Sequence, residues 1–300
     1  MNFLLIVVCL VAGWMMRRTN VLREDAHISI NGWILYIALP AVALHYIPSI
    51  VWNTDVILPL AMPLAVFVGA WIFVQALSHR FSMDAGTRAA LILTVGLGNT
   101  SFVGFPLTQA YLGNEGLRIA VMCDQMTFIM LSTLGTLTAL HASSGGTVTA
   151  MLLMKRIVLF PPFIGFIAAI VLPLFIDISP LDPLFEKLSL TLVPLALFSV
   201  GLQVRFTGWK NNTRLLTFGL AYKLFVAPML ILVVALTARL EGMAAQTSVF
   251  EASMPPMITA AILASEYRLN PQLANTIVSL GILLSLLTSL FWWYIVKLAL

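Results

Sequence analysis

The fold is decided at Gly98-Asn99-Thr100-Ser101-Phe102-Val103-Gly104-Phe105-Pro106-Leu107, a polar break punctuated by glycine and proline inside an apolar segment long enough to cross a bilayer. Lipid offers no hydrogen-bond partners, so the backbone groups that such a break frees must be satisfied by protein or by a water-filled cavity. Interrupted helices near the middle of a membrane are where transporters place substrate sites. We therefore expect a binding site at this break.

Composition places the chain in a membrane. Of its 300 residues, 60% are apolar and 9% charged, and the mean hydropathy is +1.00, whereas a soluble domain carries roughly a quarter charged residues. The apolar runs are about twenty residues long, as in a membrane-spanning helix, and lack the alternation of an outer-membrane barrel. We predict an all-α integral membrane protein with ten spans, at 2–16, 28–50, 56–78, 89–111, 117–141, 157–176, 185–204, 215–237, 244–267 and 271–296.

The basic residues predict an orientation. Eleven of the sixteen lysines and arginines follow odd-numbered spans, four follow even-numbered spans or lie near the C-terminus, and Lys223 lies inside a span. The positive-inside rule then places both termini outside, in the periplasm if this is a bacterial inner-membrane protein. Because the basic side chains lie at span ends, we expect them to contact lipid headgroups, and we expect no nucleic-acid partner. The first span lacks a basic n-region and a cleavage site, so we expect it to be retained.

The cysteines and tryptophans suggest no chemistry. Cys9 and Cys123 lie inside predicted spans, where a free thiol behaves as a small apolar side chain. Trp52 and the cluster Trp292-Trp293-Tyr294 lie near span ends, so we expect them to anchor the chain at the membrane surface. We predict no metal motif and no cofactor, and the chain has no G-x-x-x-x-G-K-S/T loop that would indicate ATP use.

Features in the two halves recur at a nearly constant offset. The mid-span prolines Pro40 and Pro194 are 154 residues apart, and a second break at 254–256 follows the one at Gly98 by 156 residues. With five spans in each half, the second half would enter the membrane from the opposite side, which makes an inverted repeat. Chance similarity between proline-containing apolar spans is the alternative.

The repeat predicts a division of the chain. We expect a first five-helix repeat at 1–141, a cytoplasmic linker at 142–156 and a second, inverted repeat at 157–300. The Ser/Gly-rich segment 142–150 is the expected hinge.

The first break is rich in groups that bind ligands. Asn99 supplies a donor and an acceptor, and Thr100 and Ser101 add hydroxyls. Gly98 and Gly104 let the backbone approach a ligand closely. The exposed helix ends carry opposed partial charges that can hold an ion or an anion.

The second break is built on prolines. Pro255 and Pro256 remove two backbone N–H groups and free carbonyls in the preceding turn, which Ser253 and Thr259 are placed to satisfy in part. We predict substrate contacts from Pro255, Pro256 and Thr259. A simple proline kink satisfied by neighbouring helices is the alternative.

Asp124, Lys223 and Glu251 are ionisable and lie well inside predicted spans, where each is costly unless it is paired, neutral or hydrated. Our hypothesis is that Glu251 or Asp124, with Gln125 beside it, binds a coupling proton or a cation such as Na⁺ at the crossing of the two breaks. Lys223 would neutralise a carboxylate or receive an anionic substrate. A buried ion pair that ties helices together is the alternative.

Three segments carry a family resemblance: 97–107, 254–256 and 264–271. Together with Lys223 and Pro228 they resemble the auxin efflux carrier family, which includes the plant PIN carriers and many bacterial transporters. The similarity covers essentially the whole chain, and the motifs are specific in combination.

The resemblance implies two inverted five-helix repeats, a scaffold and a transport domain, crossed broken helices at the fourth and ninth spans, and elevator-type alternating access, as in the similar sodium/bile-acid symporter type of fold. It maps the family's fourth-span asparagine onto Asn99 and its ninth-span break onto Pro255, and it is compatible with a homodimer. The chain has Gly98 where plant carriers have proline and lacks their long central loop, so auxin and phosphorylation control are not carried over. Its bacterial branch is similar to carriers of malonate, malate and other small carboxylates.

We therefore expect a secondary active or facilitative transporter of a small organic anion, a mono- or dicarboxylate, and not an enzyme. A channel, a ligand sensor and a carrier of a non-anionic substrate coupled to H⁺ or Na⁺ are the alternatives. An intramembrane enzyme is disfavoured because Ser101 has no histidine at a comparable depth and the chain has no H-E-x-x-H motif.

Overall fold

The computed structural model describes residues 2–50, 52–143, 150–203 and 213–300. Within these ranges the chain is helical, apart from loops and an isolated bridge between Gly98 and Pro256. The described part before residue 144 contains the α-helices α1 Asn2–Arg18, α2 Ala26–Trp33, α3 Leu39–Tyr46, α4 Ile57–Arg80, α5 Ala85–Gly96, α6 Phe105–Met130 and α7 Thr136–Ala142. The described part after residue 149 contains α8 Ala150–Val158, α9 Pro161–Val171, α10 Asp182–Ser189, α11 Leu192–Gln203, α12 Thr213–Ala221, α13 Ala227–Thr237, α14 Met243–Ala252, α15 Ile258–Glu266 and α16 Pro271–Ala299.

Short turns of other helix types connect or extend several of these helices. The 3-10 turns are Ile47–Ser49, Thr54–Val56, Leu172–Leu174 and Ser179–Leu181. The π-helical turns are Ile34–Ala38, Thr100–Gly104, Leu131–Gly135 and Tyr222–Val226. Two of the π-helical turns contain predicted site residues, and such widened turns often occur at functional sites.

Six helical stretches are long and apolar enough to cross a membrane: Ala26–Ser49, Thr54–Arg80, Thr100–Ala142, Ser179–Gln203, Thr213–Thr237 and Pro271–Ala299. The stretch Thr100–Ala142 changes direction at Gly113, whose φ of 73° lies in the left-handed region. The other predicted spans contain shorter or interrupted helices, such as the 17-residue α1 and the pair α14 and α15. Multiple membrane crossings are therefore supported, and the number ten stays a prediction.

The predicted linker is only partly described. Residues 144–149, which hold most of the expected hinge, lie outside the described residues. The end of the linker is helical, because α8 begins at Ala150.

The helices pack as two groups. The first group consists of α1, α2, α3, α9, α10 and α11, in which α1 packs on α11 and α3 packs on α9 and α10. The second group consists of α4 to α7 and α12 to α16, and both helix breaks belong to it. Contact between the groups runs largely through α11, which packs on the π-helical turn Thr100–Gly104, and through apolar residues of α6 such as Leu117 and Val121. The second group therefore contains the candidate site, and the first group flanks it.

Candidate functional site

The two helix breaks meet and pair through their backbones. The Asn99 N–H donates to the Pro255 carbonyl over 2.7 Å, and the Met257 N–H donates to the Leu97 carbonyl over 3.0 Å. Each break thereby satisfies backbone groups that the other has freed, which a buried interruption requires. We call this contact the crossover, and it unites segments that are more than 150 residues apart in the sequence.

Asn99 organises the first break. Its side-chain carbonyl accepts the Phe102 N–H over 3.2 Å and its backbone carbonyl accepts the Gly104 N–H over 2.9 Å, so it caps the helical segment that follows. The Asn99 side chain is buried, and its Nδ2 atom has no hydrogen-bond partner in the described structure. A buried amide donor without a partner is costly, so this group is available to a ligand.

The hydroxyls beside Asn99 face Asp124. The Thr100 Oγ1 donates to the Asp124 carboxylate over 2.6 Å, and Ser101 also interacts with that carboxylate. The neighbouring Gln125 is buried, and its Oε1 has no partner in the described structure. The predicted residues Asn99, Thr100, Asp124 and Gln125 are therefore all buried, and Thr100 and Ser101 join the first break to Asp124.

Lys223 approaches the crossover from the π-helical turn between α12 and α13. Lys223 is 1% exposed, and its Nζ donates to the Ala252 carbonyl over 2.9 Å. A Cβ atom added at Gly98 would lie 3.2 Å from the Lys223 Nζ, so the absence of a side chain there admits the ammonium. Lys223 and Glu251 interact electrostatically, but no ion pair joins Lys223 to Asp124 or Glu251 among the described residues.

Glu251 lies at the end of α14, just before the second break. It is fully buried, and its Oε1 accepts the Thr108 hydroxyl over 2.6 Å. Its Oε2 has no partner in the described structure and fills the space that a side chain at Gly104 would occupy. Sequence reasoning missed Thr108. The only signal was that Thr108 follows Gly104 by one helical turn, on the same face.

Ser253 and Thr259, which were both predicted to act at the second break, lie in different surroundings. The Ser253 hydroxyl donates to the Phe250 carbonyl over 2.6 Å. That carbonyl also accepts the Ser253 backbone N–H over 3.0 Å, so it is not one of the carbonyls that the two prolines free. Thr259 is exposed and lines a hollow of about 300 Å³ together with Ser132, Thr136 and Glu266. Since α15 restarts at Ile258, Thr259 lies on the outer side of the first turn, and the structure does not bring it to the crossover.

The tryptophans near the C-terminus differ from the prediction. Trp52 and Tyr294 are exposed, as anchors at a membrane surface would be. Trp292 is 1% exposed, and its indole N–H donates to the Leu224 carbonyl over 2.7 Å, so the prediction of a surface anchor is wrong for this residue. A π-helical turn leaves carbonyls without their usual partner, and Trp292 satisfies one of them next to Lys223.

A polar hollow of about 480 Å³ lies between the two helix groups. Its lining includes Ile258, the first residue of the helix after the second break. The rest of the lining comes mainly from the start of α2, the end of α11 and the first half of α16. Its polar lining consists of Glu24, His27, Gln203, Gln272, Asn275, Thr276 and Ser279. The hollow is a candidate path between solvent and the buried crossover.

The crossover holds groups that can bind a small charged solute. It combines a buried ammonium, two carboxyl groups and amide groups that lack partners. Within the described residues no cluster of three or more metal-ligating side chains is found. The arrangement suits reversible capture of a small charged solute.

The known proteins that this chain resembles are named as transporters. The family described as membrane transport protein matches residues 1–293. An uncharacterized transporter of Methanothermobacter thermautotrophicus is 26% identical over 292 residues, covering 96% of this chain and 95% of its own length. One of Methanocaldococcus jannaschii is 26% identical and covers 98% of each chain, and the uncharacterized transporter YfdV of Escherichia coli is 23% identical and covers 99% of this chain and 97% of its own. These relatives and the long apolar helices together indicate a multi-pass membrane protein.

Proposed function

Because the chain belongs to the membrane transport protein family, the family of the auxin efflux carriers, we propose that it is a secondary active or facilitative transporter of a small organic anion. The observation that carries this proposal is the buried Lys223 ammonium at the crossover. Its recorded hydrogen bond is to a neutral acceptor, the Ala252 carbonyl.

The charge of Glu251 acts on Lys223, but no ion pair joins the two within the described residues. An anionic substrate would supply the direct counter-ion that a buried cation needs. Thr100 donates to Asp124, and Thr108 donates to one oxygen of Glu251. The free Nδ2 of Asn99 would add a hydrogen bond to the same anion. We propose mono- or dicarboxylates as the substrate class, since a carboxylate accepts from an ammonium and an amide at once.

The packing supports a carrier that alternates access. Asn99, Lys223 and Glu251 are buried, so a substrate that enters the polar hollow reaches them only when the protein moves. Two helix groups, one of which holds both breaks, are the arrangement that an elevator requires. We propose ten spans in two inverted repeats, with the first group as scaffold and the second as transport domain.

The proposal also covers the membrane, the topology, the coupling ions and the assembly of the protein. The distribution of basic residues supports both termini outside, and we propose a bacterial inner membrane as the location. Relatives that are named as transporters favour a carrier over an intramembrane enzyme. We propose Na⁺ or H⁺ as the only ions that could accompany the substrate, no resident cofactor, and a homodimer as the assembly.

The test is uptake of labelled malonate, malate and indole-3-acetate into proteoliposomes, with and without a sodium or proton gradient. We expect saturable uptake of at least one acid. Asn99→Ala should reduce it, and the matched change Asn114→Ala, at an exposed asparagine, should not.

The outcomes separate the alternatives. Flux that does not saturate would indicate a channel. Saturable binding without flux would indicate a sensor. No uptake of any acid by folded protein would overturn the anion proposal and would favour a neutral or cationic substrate held by Asp124 and Glu251.

A further inference from the structure

Glu251 is the carboxyl group that is most completely enclosed in the crossover. It has no exposed surface, whereas Asp124 retains 5% exposure and interacts with two hydroxyls. Among the described residues, Thr108 is its one hydrogen-bond partner, and its second oxygen has none. The Glu251 carboxyl is therefore held by one hydrogen bond, with one buried oxygen unsatisfied.

Such surroundings are suited to the neutral acid. An ionised carboxylate in a low-dielectric interior needs a paired cation or several donors, and one threonine hydroxyl falls well short of that. A neutral carboxyl needs far less, because it carries no net charge and its Oε1 can still accept the Thr108 hydroxyl over the same 2.6 Å. The contact of Oε2 with Gly104 leaves no space for an additional side-chain donor on that side.

A metal cation fits the site poorly. Hard cations are held by several oxygen ligands at once. Thr108 is the recorded polar partner of Glu251, and the described residues contain no cluster of three or more metal-ligating side chains. A proton needs one oxygen only, so it is the cation that this geometry favours.

The charged and titratable groups around Glu251 are Asp124 and Cys123 from α6 and Lys223 from the π-helical turn. No ion pair links Glu251 to Lys223 in the described structure. The Lys223 ammonium is bonded to the carbonyl of Ala252, the residue next to Glu251. Any negative charge that develops on Glu251 would therefore attract the same ammonium that faces the crossover.

We propose that Glu251 carries the coupling proton, and that the protein is a symporter of a carboxylate with H⁺; this inference rests on the proposed function. When Glu251 is protonated, Lys223 is available to the anion. When Glu251 is ionised, it competes with the anion for Lys223. Proton and anion therefore bind together from the side to which the crossover opens, and both leave on the other side.

The first test needs no substrate. We would record infrared spectra of the native protein and of Glu251→Gln, Asp124→Asn and Glu241→Gln in liposomes at neutral pH. The native protein, Asp124→Asn and Glu241→Gln should show the C=O stretch of a buried protonated carboxyl, and Glu251→Gln should lack it. A native protein without this band, or a band that persists in Glu251→Gln, would overturn the proposal.

The second test measures coupling with the acid that the native protein takes up best from the panel of malonate, malate and indole-3-acetate. An acidic exterior should drive accumulation, up to about tenfold per pH unit for electroneutral symport of one proton. Glu251→Gln should lose this stimulation and keep exchange of labelled for unlabelled acid, while Glu241→Gln, changed at an exposed glutamate, should behave as the native protein.

Retained stimulation in Glu251→Gln would overturn the proposal. Saturable uptake by the native protein that ignores the pH gradient would overturn it too and leave the proposed function standing. Absence of all uptake would count against the proposed function, and the infrared band would still decide the state of Glu251.

Discussion

The two helix breaks occupy equivalent places and differ in what they offer. The first is capped by the Asn99 side chain and is followed at once by Thr100 and Ser101. The second passes through Pro255 and Pro256, and no side chain caps the helix that follows. The first break therefore brings side-chain donors and acceptors, while the second contributes backbone carbonyls and a rigid shape.

The helices that precede the two breaks differ in the same way, because only the first has a side-chain cap at its start. α5 begins with Asp84, whose carboxylate accepts the Thr87 N–H over 2.7 Å. α14 begins after Gly242, which has a φ of 84° and provides no side-chain cap. A polar side chain thus caps the start of each half of the first broken helix, whereas the second depends on packing. The comparison suggests that the binding chemistry lies on one side of the crossover, and the following changes test that idea.

The largest effect is expected from Lys223→Met, which removes the cation shared by both breaks. Hydrogen bonds to charged groups contribute about 1.5–3 kcal/mol, so uptake of the carried acid should fall by roughly 10- to 150-fold. Initial uptake rates in proteoliposomes measure the change, with Lys297→Met, at an exposed lysine, as the matched control. Unchanged uptake in Lys223→Met would show that the carried anion does not bind Lys223.

A smaller loss is expected from Asn99→Ala. It deletes the free Nδ2 donor and also the cap on the Phe102 N–H, so we expect about tenfold weaker transport together with about 1 kcal/mol lower stability. The concentration dependence of uptake measures the loss of the donor, and thermal unfolding measures the loss of the cap. If only stability fell, Asn99 would be a cap and not a ligand.

Pro255→Ala should have a slight effect, because alanine keeps the carbonyl that accepts the Asn99 N–H. We expect a change in uptake below about threefold, the size of a backbone-entropy effect. The same uptake assay compares it directly with Asn99→Ala. A loss larger than that of Asn99→Ala would reverse the comparison and place the binding chemistry on the second break.

The smallest effect on transport is expected from Asp84→Ala, which removes a cap far from the crossover. Stability should fall by about 1 kcal/mol with uptake rates unchanged. A thiol-reactive dye that reports exposure of the buried Cys123 on heating measures it.

The cap should also respond to pH. Hydrogen bonds from Thr87 hold the pKa of Asp84 below its usual value. Its contribution is therefore present above the usual aspartate pKa and is lost as the pH falls through the lowered one. A native protein and an Asp84→Ala variant with identical unfolding at neutral pH would contradict the role of the cap.

Local signals in the sequence located much of the crossover. Polar and proline-containing interruptions in apolar runs predicted both breaks, and charges inside spans singled out Asp124, Lys223 and Glu251, all of which are buried. Thr108 was missed because a threonine in a helix usually bonds its own backbone, and only the packing of α14 on α6 brings Glu251 to it. Thr259 and Trp292 were misjudged because proximity in sequence to a break or a span end does not say which face of a helix is buried.

By itself, the sequence determined the membrane class, the places where helices must stop, and the family, because these follow from hydropathy, from backbone chemistry and from local motifs. Only the tertiary structure decided which partners meet: the breaks pair with each other, Lys223 donates to the Ala252 carbonyl, and Glu251 accepts the Thr108 hydroxyl. The physical reason is the distance along the sequence over which each effect acts. Propensity and hydropathy act within a few turns, whereas pairing across more than 100 residues depends on how helices pack, which no local pattern encodes.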